Sequence, residues 1–542
     1  MKSIIGLIKI YILAVLGKKY SMGDTCAVSA GNYGTLWDIH KTAKEKGQPV
    51  RFTVAGKGDL DREAVRFVCK FLHYAMARYE KSLPVKIYYY GVIRGLTGKG
   101  SYPPCRDGRV YLPAGLIAAY GWEHHVRLIL RRLMAPCVRC IAGLMAVFYK
   151  PRRLTSPKEL YITGWYGTET TGDKAILGGI IREARGICPA LTHIHVSSIV
   201  PYFTEETMEQ LSIGGMRYGV IGRGWRDNGK AIRRSDWAVM GGGPLMELYE
   251  VYTVLLTVMR ARLRGKRTVI WGCGIGPLHK KGMKRAVRLL LRLSDLVILR
   301  DAFSPTVYAG VTTGIEYHPC IDPAVQYLLD VRDEIRPTKK DEDKKTVLFC
   351  IRELPLQYCT SKEEHVRIKD QFIQEIGKTV ERLLHDARIR IRFFPMNTFV
   401  IGQDDREYYE EIKKVLPQSE RIEFLRKDFT LHEAIGEFMK VDAAVAMRFH
   451  SVVFANTLGV PTLAVDYDML GGKIRGFMEG ISLMDRHVPI AEATAERMLP
   501  MIQDLLGKDG QAARIQDGLN EVVDRMSGVI KNAMDGTGGG GS

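Results

Sequence analysis

The sequence predicts an α/β protein built as two Rossmann-like lobes in tandem, preceded by a small basic α/β domain. Three observations lead there. Beyond about residue 158, short apolar strands alternate with helical patterns, and each strand runs into a glycine-rich or polar loop. One charge-dense stretch, 330–345, carries Pro337 and interrupts the alternation as a solvated linker would. The chain has 542 residues, too many for one hydrophobic core.

The first lobe is expected over 155–335. Its strands are read at 160–163, 237–240, 269–271, 296–299 and 315–317. They lead into GWYGTETTGD, GGGPLME, GCGIGP, Arg300 with Asp301, and His318 with Asp322. The second lobe is expected over 345–535, with strands at 347–351, 389–394, 422–425, 443–447 and 462–465. Helices are expected at 367–384 and 430–441, with a closing helix at 511–533. Two such lobes in tandem resemble the GT-B architecture of glycosyltransferases.

The N-terminal part differs in charge. Residues 1–150 contain 24 Lys or Arg against 9 Asp or Glu, and most of the net charge of +19 lies there. A concentrated basic face implies an anionic partner. Residues 4–16 form an apolar run bounded by Lys2, Lys18 and Lys19. The run is too short to span a bilayer and lacks a cleavage site. It reads as an interfacial helix over 1–20, which favours an anionic membrane surface over nucleic acid. Residues 126–149 mix arginines with apolar residues and suit either a membrane surface or packing inside the domain. Residues 21–150 form the accessory domain, with strands at 51–54 and 85–90, helices at 61–79 and 122–148, and no chemical motif. Its EHHVRL segment places two His side by side, which no zinc-protease helix does.

Ten cysteines without a dense framework fit a reducing compartment, so a cytoplasmic protein is expected, peripheral on the inner face of the membrane. The single CxxC pair, Cys137 and Cys140, reads as buried and structural, and no metal site is expected. Residues 536–542, GTGGGGS, read as an artificial linker.

Ligands of open parallel sheets bind beyond the carboxyl ends of the strands. The unusual residues of 160–470 fall there. Gly172 and Asp173 sit where a helix begins, a favourable place for an anion, although Asp173 alone would equally be a helix cap. Gly242, Gly243 and Gly274 let a substrate, or a packed element, approach the backbone. Arg448 and His450 follow the apolar strand ending at Met447. Arg clamps phosphate or carboxylate, and His moves a proton near neutral pH.

The order GWYGTETTGDKAIL, MGGGPLME, GCGIGPL, ILRDAFS, DPA, FFPMNTFVIGQDDREYY and MRFHSVVFANTLGVP with VDYD resembles the polysaccharide pyruvyl transferases over about 158–485. The resemblance implies transfer of a pyruvyl group from phosphoenolpyruvate to a sugar, forming a ketal, with no cofactor. It implies functional roles for Asp173, Arg300, Arg448 and His450. His450 would be the acid, Asp173 the base, and the two arginines would hold the anionic donor. Asp322 and Lys473 join Gly172, Gly242, Gly243 and Gly274 as expected substrate-binding residues. A saccharide acceptor is implied, and the basic N-terminal segment suggests one linked to lipid. Four positions depart from the family's pattern: Thr170, Lys174, Phe449 and Met469. Two other readings stay open: a GT-B glycosyltransferase using a nucleotide sugar, and an inactive glycan- or anion-binding protein of the same fold.

Overall fold

The computed structural model describes residues 133–211, 214–248, 250–300, 308–335, 343–399, 402–468, 472–507 and 527–535, with four short strands nearer the N-terminus. The chain divides into two compact units. One comprises Met1–Ala135, Val200–Glu205 and Phe399–Gln403; the other comprises Pro136–Ile199, Glu206–Thr398 and Asp404–Ser542. In the first, Cys26–Val28 pairs in parallel with Val50–Phe52, and Cys105–Arg106 pairs antiparallel with Arg109–Val110. The expected interfacial helix 1–20, the strand at 85–90, the helix at 61–79 and the linker 536–542 lie outside the described residues.

The second unit holds two parallel sheets. The first contains β1 (Glu159–Thr163), β2 (His193–Ser198), β3 (Arg217–Gly222), β4 (Trp237–Gly241), β5 (Pro244–Leu245), β6 (Arg267–Ile275), β7 (Leu296–Leu299) and β8 (His318–Pro319). Their order is β8-β7-β6-β4-β1-β2-β3, with β5 pairing off the path with β6. The second contains β9 (Lys345–Cys350), β10 (Ile389–Phe393), β11 (Ile422–Phe424), β12 (Ala443–Ala446), β13 (Thr462–Asp466) and β14 (His487–Pro489), in the order β11-β10-β9-β12-β13-β14. Helices cover both faces of such sheets, so interior strands are buried along their length. β4, β7, β12 and β13 are buried at every residue. The two-lobed parallel α/β fold is therefore the one the alternation predicts.

The strand orders fix where ligands can bind. In the first sheet the chain runs outward from β1 to β3, then returns through β4 to the other edge, so the direction of winding reverses between β1 and β4. In the second it reverses between β9 and β12. At such points the following helices leave on opposite faces and open a crevice. Residues 164–173 follow β1, Gly242 follows β4, Arg352 follows β9, and Arg448 and His450 follow β12.

Five helices matter for the site, two of them starting with a side-chain cap. They are α1 (Thr171–Ile187), α2 (Pro323–Arg332), α3 (Asp405–Ile412), α4 (Phe449–Thr457) and α5 (Lys473–Gly480). Asp322 caps α2 by accepting from Ala324 N, with Pro323 in the first turn, and Asp404 caps α3 by accepting from Arg406 N. Buried side chains from both sheets and their helices form one continuous apolar cluster, which includes Trp237, Trp271, Tyr327, Phe349, Phe393 and Phe454.

Three expectations need correction, and two strands were not anticipated. The run 315–317 is not a strand; the short edge strand is His318–Pro319, after a turn in which Gly314 has φ of 69°. Residues 330–332 belong to α2 rather than a linker, because Tyr327, Leu328 and Val331 bury one helical face. β2 and β3 escaped sequence reading because HIHVSS and RYGVIG lack an apolar run. Cys137 and Cys140 are exposed, on a helical stretch at 133–147 whose buried seam is Val138, Ala142 and Ala146.

Candidate active site

α1 meets the second lobe at its first residues. Thr171 N donates to Met396 O at 3.0 Å, and Thr170 forms a bridge with Asn397. This contact presses Gly172 against His450. A Cβ on Gly172 would lie 2.0 Å from both Cγ and Nδ1 of the imidazole, so no other residue fits there without displacing the ring.

His450 sits in the first turn of α4, with Arg448 as the residue before the helix. Its Nε2 lies 3.6 Å from Asp322 Oδ2, and its side chain keeps 13% of its exposure. The same Asp322 oxygen accepts from Arg300 Nη1 at 2.7 Å, while Oδ1 accepts from Ala324 N at 2.9 Å. Burial works against ionisation of Asp322. The Arg300 and His450 charges and the Ala324 N–H outweigh it and hold the carboxyl below its usual range.

Asp173, also in the first turn of α1, is partly accessible. Thr168 Oγ1 donates to its Oδ2 at 3.4 Å. Burial raises the Asp173 carboxyl above the usual range, against the pull of His450 and Arg300 and with added repulsion from Asp322. Two carboxylates therefore share one junction with opposite tendencies: Asp322 stays charged, and Asp173 holds a proton more readily.

Two buried polar atoms of this cluster, Arg300 Nε and His450 Nε2, have no hydrogen-bond partner. Buried donors and acceptors left unpaired are costly, and they mark a place where another polar group belongs.

Arg448 has a different surrounding. Its Nε lies 2.7 and 2.8 Å from the two oxygens of Asp405, and its Nη2 lies 2.6 Å from Oδ1. Asp405 Oδ2 also accepts from Met396 N and Asn397 N at 3.0 and 3.1 Å. Arg300 and Arg448 thus each engage their own carboxylate, in separate clusters.

Phe449 links these clusters. The Arg300 guanidinium lies 4.4 Å from its ring centroid and the Lys473 ammonium 5.7 Å. Lys473, which opens α5, lies 5.8 Å from the Tyr467 ring as well, and Arg352 lies 5.5 Å from that ring. Burial would raise the Tyr467 phenol, yet Lys473, Arg352 and Arg448 together lower it below its ordinary value. Burial and repulsion from Arg448 lower Arg352. A cluster of cations in the second lobe therefore adjoins the acidic junction of the first.

The structure brings Asp173, Arg300, Asp322, Gly172 and His450 together, with Arg448 and Lys473 on the flank. Gly242 and Gly243 face protein. A Cβ on Gly242 would meet Ile176 of α1 at 2.2 Å, and one on Gly243 would meet Trp165 at 2.6 Å. Gly274 pairs with Pro244 of β5. Asp322 is fully buried and acts on Arg300 and His450 rather than facing solvent. Sequence reading missed Asp405, Arg352 and Tyr467. Asp405 lies in the DDREYY run and Tyr467 in VDYD, so their motifs were in view while their partners were not. Among the described residues, no group of three or more His, Cys, Asp or Glu side chains is placed to hold a metal ion.

Comparison with solved structures returns a protein assigned as a UDP-N-acetylglucosamine 2-epimerase from Listeria monocytogenes. It is 10% identical, with a TM-score of 0.49 over 70% of this chain and 97% of that one. A UDP-GlcNAc 2-epimerase from Methanocaldococcus jannaschii is 12% identical, with a TM-score of 0.44 over 68% and 99%. An O-GlcNAc transferase variant from Thermobaculum terrenum is 13% identical, with a TM-score of 0.42 over 99% and 97%. Comparison with curated proteins returns no match. The family model of polysaccharide pyruvyl transferases matches residues 171–469, from the first turn of α1 past β13 and so across both lobes; the chain belongs to the polysaccharide pyruvyl transferase family.

Proposed function

We propose that the protein transfers a pyruvyl group from phosphoenolpyruvate to a sugar diol, forming a cyclic ketal and releasing phosphate. The observation that carries this reading is the buried Arg300 Nε, which has no hydrogen-bond partner, beside His450, whose Nε2 lies 3.6 Å from Asp322 and too far for a hydrogen bond, and a carboxyl raised by burial. An anionic substrate that needs both a cation and a proton donor fits that arrangement.

In this reading His450 protonates C3 of the donor, and C2 becomes electrophilic. A first sugar hydroxyl adds to C2 and passes its proton to Asp173. The C2–O bond to phosphate then breaks, a second hydroxyl closes the ring, and its proton leaves with phosphate. Arg300, Arg448, Lys473 and the N-terminus of α1 offset the donor's charge as it shifts. Asp322 orients His450 and Arg300. The reaction draws on no cofactor. The proposed acceptor is a saccharide on a lipid carrier at the inner face of the membrane, which the basic first 150 residues support.

The test is phosphate release from phosphoenolpyruvate in the presence of candidate glycans, with the ketal identified by mass spectrometry. His450→Ala is expected to lower kcat by about 10²–10⁴. Release of a nucleoside diphosphate from a sugar nucleotide, with no response to phosphoenolpyruvate, would replace this reading with glycosyl transfer. Intact cellular function in the His450→Ala strain would leave a binding protein.

A further inference from the structure

The outer surface of the first lobe carries a feature that the proposed reaction does not use. The helical stretch at 136–147, continued by Phe148, buries Val138, Ala142 and Ala146. Its opposite face is apolar as well. Cys137 and Cys140 are exposed, and Ile141, Leu144, Val147 and Phe148 retain 52, 62, 70 and 87% of their exposure. A surface helix ordinarily shows polar residues there.

This helix is rigidly held. Arg139 donates to Tyr252 Oη on the helix Glu250–Leu263. Just beyond its end, Tyr149 Oη donates to Asp295 Oδ1 at 3.0 Å and Arg152 N donates to the same oxygen at 2.8 Å. Arg262 Nη1 approaches that carboxylate at 2.5 Å, and Asp295 is itself buried among these groups. Alongside runs the helix Lys281–Arg292, whose outer face shows Lys281, Lys284, Arg285 and Arg292. The two helices touch: a Cβ on Gly143 would lie 3.8 Å from Arg285 Nη2, and one on Gly282 would lie 3.3 Å from Arg139 Nη1. No Asp or Glu occurs in residues 124–158 or 251–294.

We infer that this two-helix face docks on an anionic lipid surface. The apolar ridge from Ile141 to Phe148 enters the acyl boundary, and the cations of the neighbouring helix meet lipid phosphates. Charge complementarity selects this occupant. A ridge that paired with a second copy would bring like-charged helices together, with no carboxylate on either to offset them. No helix among the described residues is long and apolar enough to cross a membrane, so the face lies on the bilayer. The inference goes beyond the proposed reaction and does not depend on its donor or acceptor, since docking is measured without turnover.

The experiment is co-sedimentation of the full chain with vesicles of phosphatidylcholine alone and with added phosphatidylglycerol. The wild type is expected to bind the anionic vesicles preferentially. Leu144→Asp with Phe148→Asp should cut that binding by about tenfold or more. Lys281→Gln, Lys284→Gln and Arg285→Gln together should cut it by about a hundredfold, at roughly fivefold per cation. An unchanged far-ultraviolet circular dichroism spectrum verifies that the variants are folded. Unchanged vesicle binding by both variants overturns the inference and leaves any membrane attachment to the N-terminal residues. If the aspartate pair instead dissociates a dimer while vesicle binding persists, a second copy covers the ridge. If it lowers Tm while vesicle binding persists, the chain's own N-terminal part covers it. Either result overturns the inference.

Discussion

Asp173 and Asp322 carry like charges at one junction, and their surroundings push their acidities apart. Asp322 is held ionised by Arg300, His450 and the α2 N-terminus, while burial and Asp322 itself raise Asp173. In the proposed reaction Asp173 is the base and must be ionised to act, so the acidic limb of the kcat/KM profile should lie above the usual carboxylate range. Asp322→Asn keeps the helix cap but removes one repelling charge and frees Arg300 from its partner. Both changes lower the Asp173 carboxyl, so the acidic limb should move to lower pH, and kcat should fall because His450 loses its orienting partner. A limb that stays in place would mean that Asp173 is not the group titrating. The departures from the family's pattern also have local partners. Lys174 is buried and pairs with Glu169, itself at φ of 57°, with 3.1 Å between Nζ and Oε1. Phe449 gives Arg300 and Lys473 a shared aromatic face that an aliphatic residue would not supply.

α1 does at the scale of an element what no single residue could. Its N-terminal turn supplies Gly172 and Asp173 to the junction, and its next turns seat against α2. A Cβ on Gly179 would lie 1.8 Å from Pro323 O, and one on Gly178 would lie 2.4 Å from Tyr327. Further along, Glu183 accepts from Trp271 Nε1 at 3.2 Å and from Ser527 Oγ at 3.2 Å, which ties α1 to the helical stretch at 527–535. Burial raises Glu183 to about 7. Its folded value is above its unfolded one, so the folded chain binds the extra proton. The associated stability is complete below about pH 4.5 and is lost as pH rises through 7, a loss of about 3 kcal/mol. Glu183→Gln keeps the acceptor without the charge and should flatten the dependence. Urea denaturation at pH 5 and pH 8 measures it, and equal slopes in wild type and variant would refute it. The strands that feed the site were legible because a buried parallel strand is a short apolar run with a glycine or charge at its end. The partners of the site residues were not legible. Asp405 looks like one acid among several in DDREYY, and only the turn at 396–397 brings it to Arg448. Asp322 looks like a ligand in sequence because a helix cap and a substrate-binding acid occupy the same kind of position.

The two lobes form one molecule through a shared apolar cluster and a small polar hinge of contacts. Asp405 sits at the centre of that hinge. It holds Arg448 of the second lobe, and it accepts from Met396 N and Asn397 N, whose neighbouring groups pair with Thr171 N and Thr170 of the first. Asp405→Ala would leave the Arg448 guanidinium buried without its carboxylate and release the turn that anchors α1. Losing one partner of a buried pair costs about 3–5 kcal/mol. The tryptophans let the effect be followed from lobe to lobe. The six tryptophans are Trp37, Trp122, Trp165, Trp225, Trp237 and Trp271, and none lies in the second lobe, while far-ultraviolet circular dichroism reports both. If the shared cluster makes unfolding cooperative, Asp405→Ala must lower the denaturation midpoint seen by tryptophan fluorescence as much as the midpoint seen by circular dichroism. A fluorescence transition that stays at its wild-type midpoint while the dichroism splits into two steps would show the lobes folding independently. The junction between Asp173 and His450 would then be assembled by docking rather than by a common core.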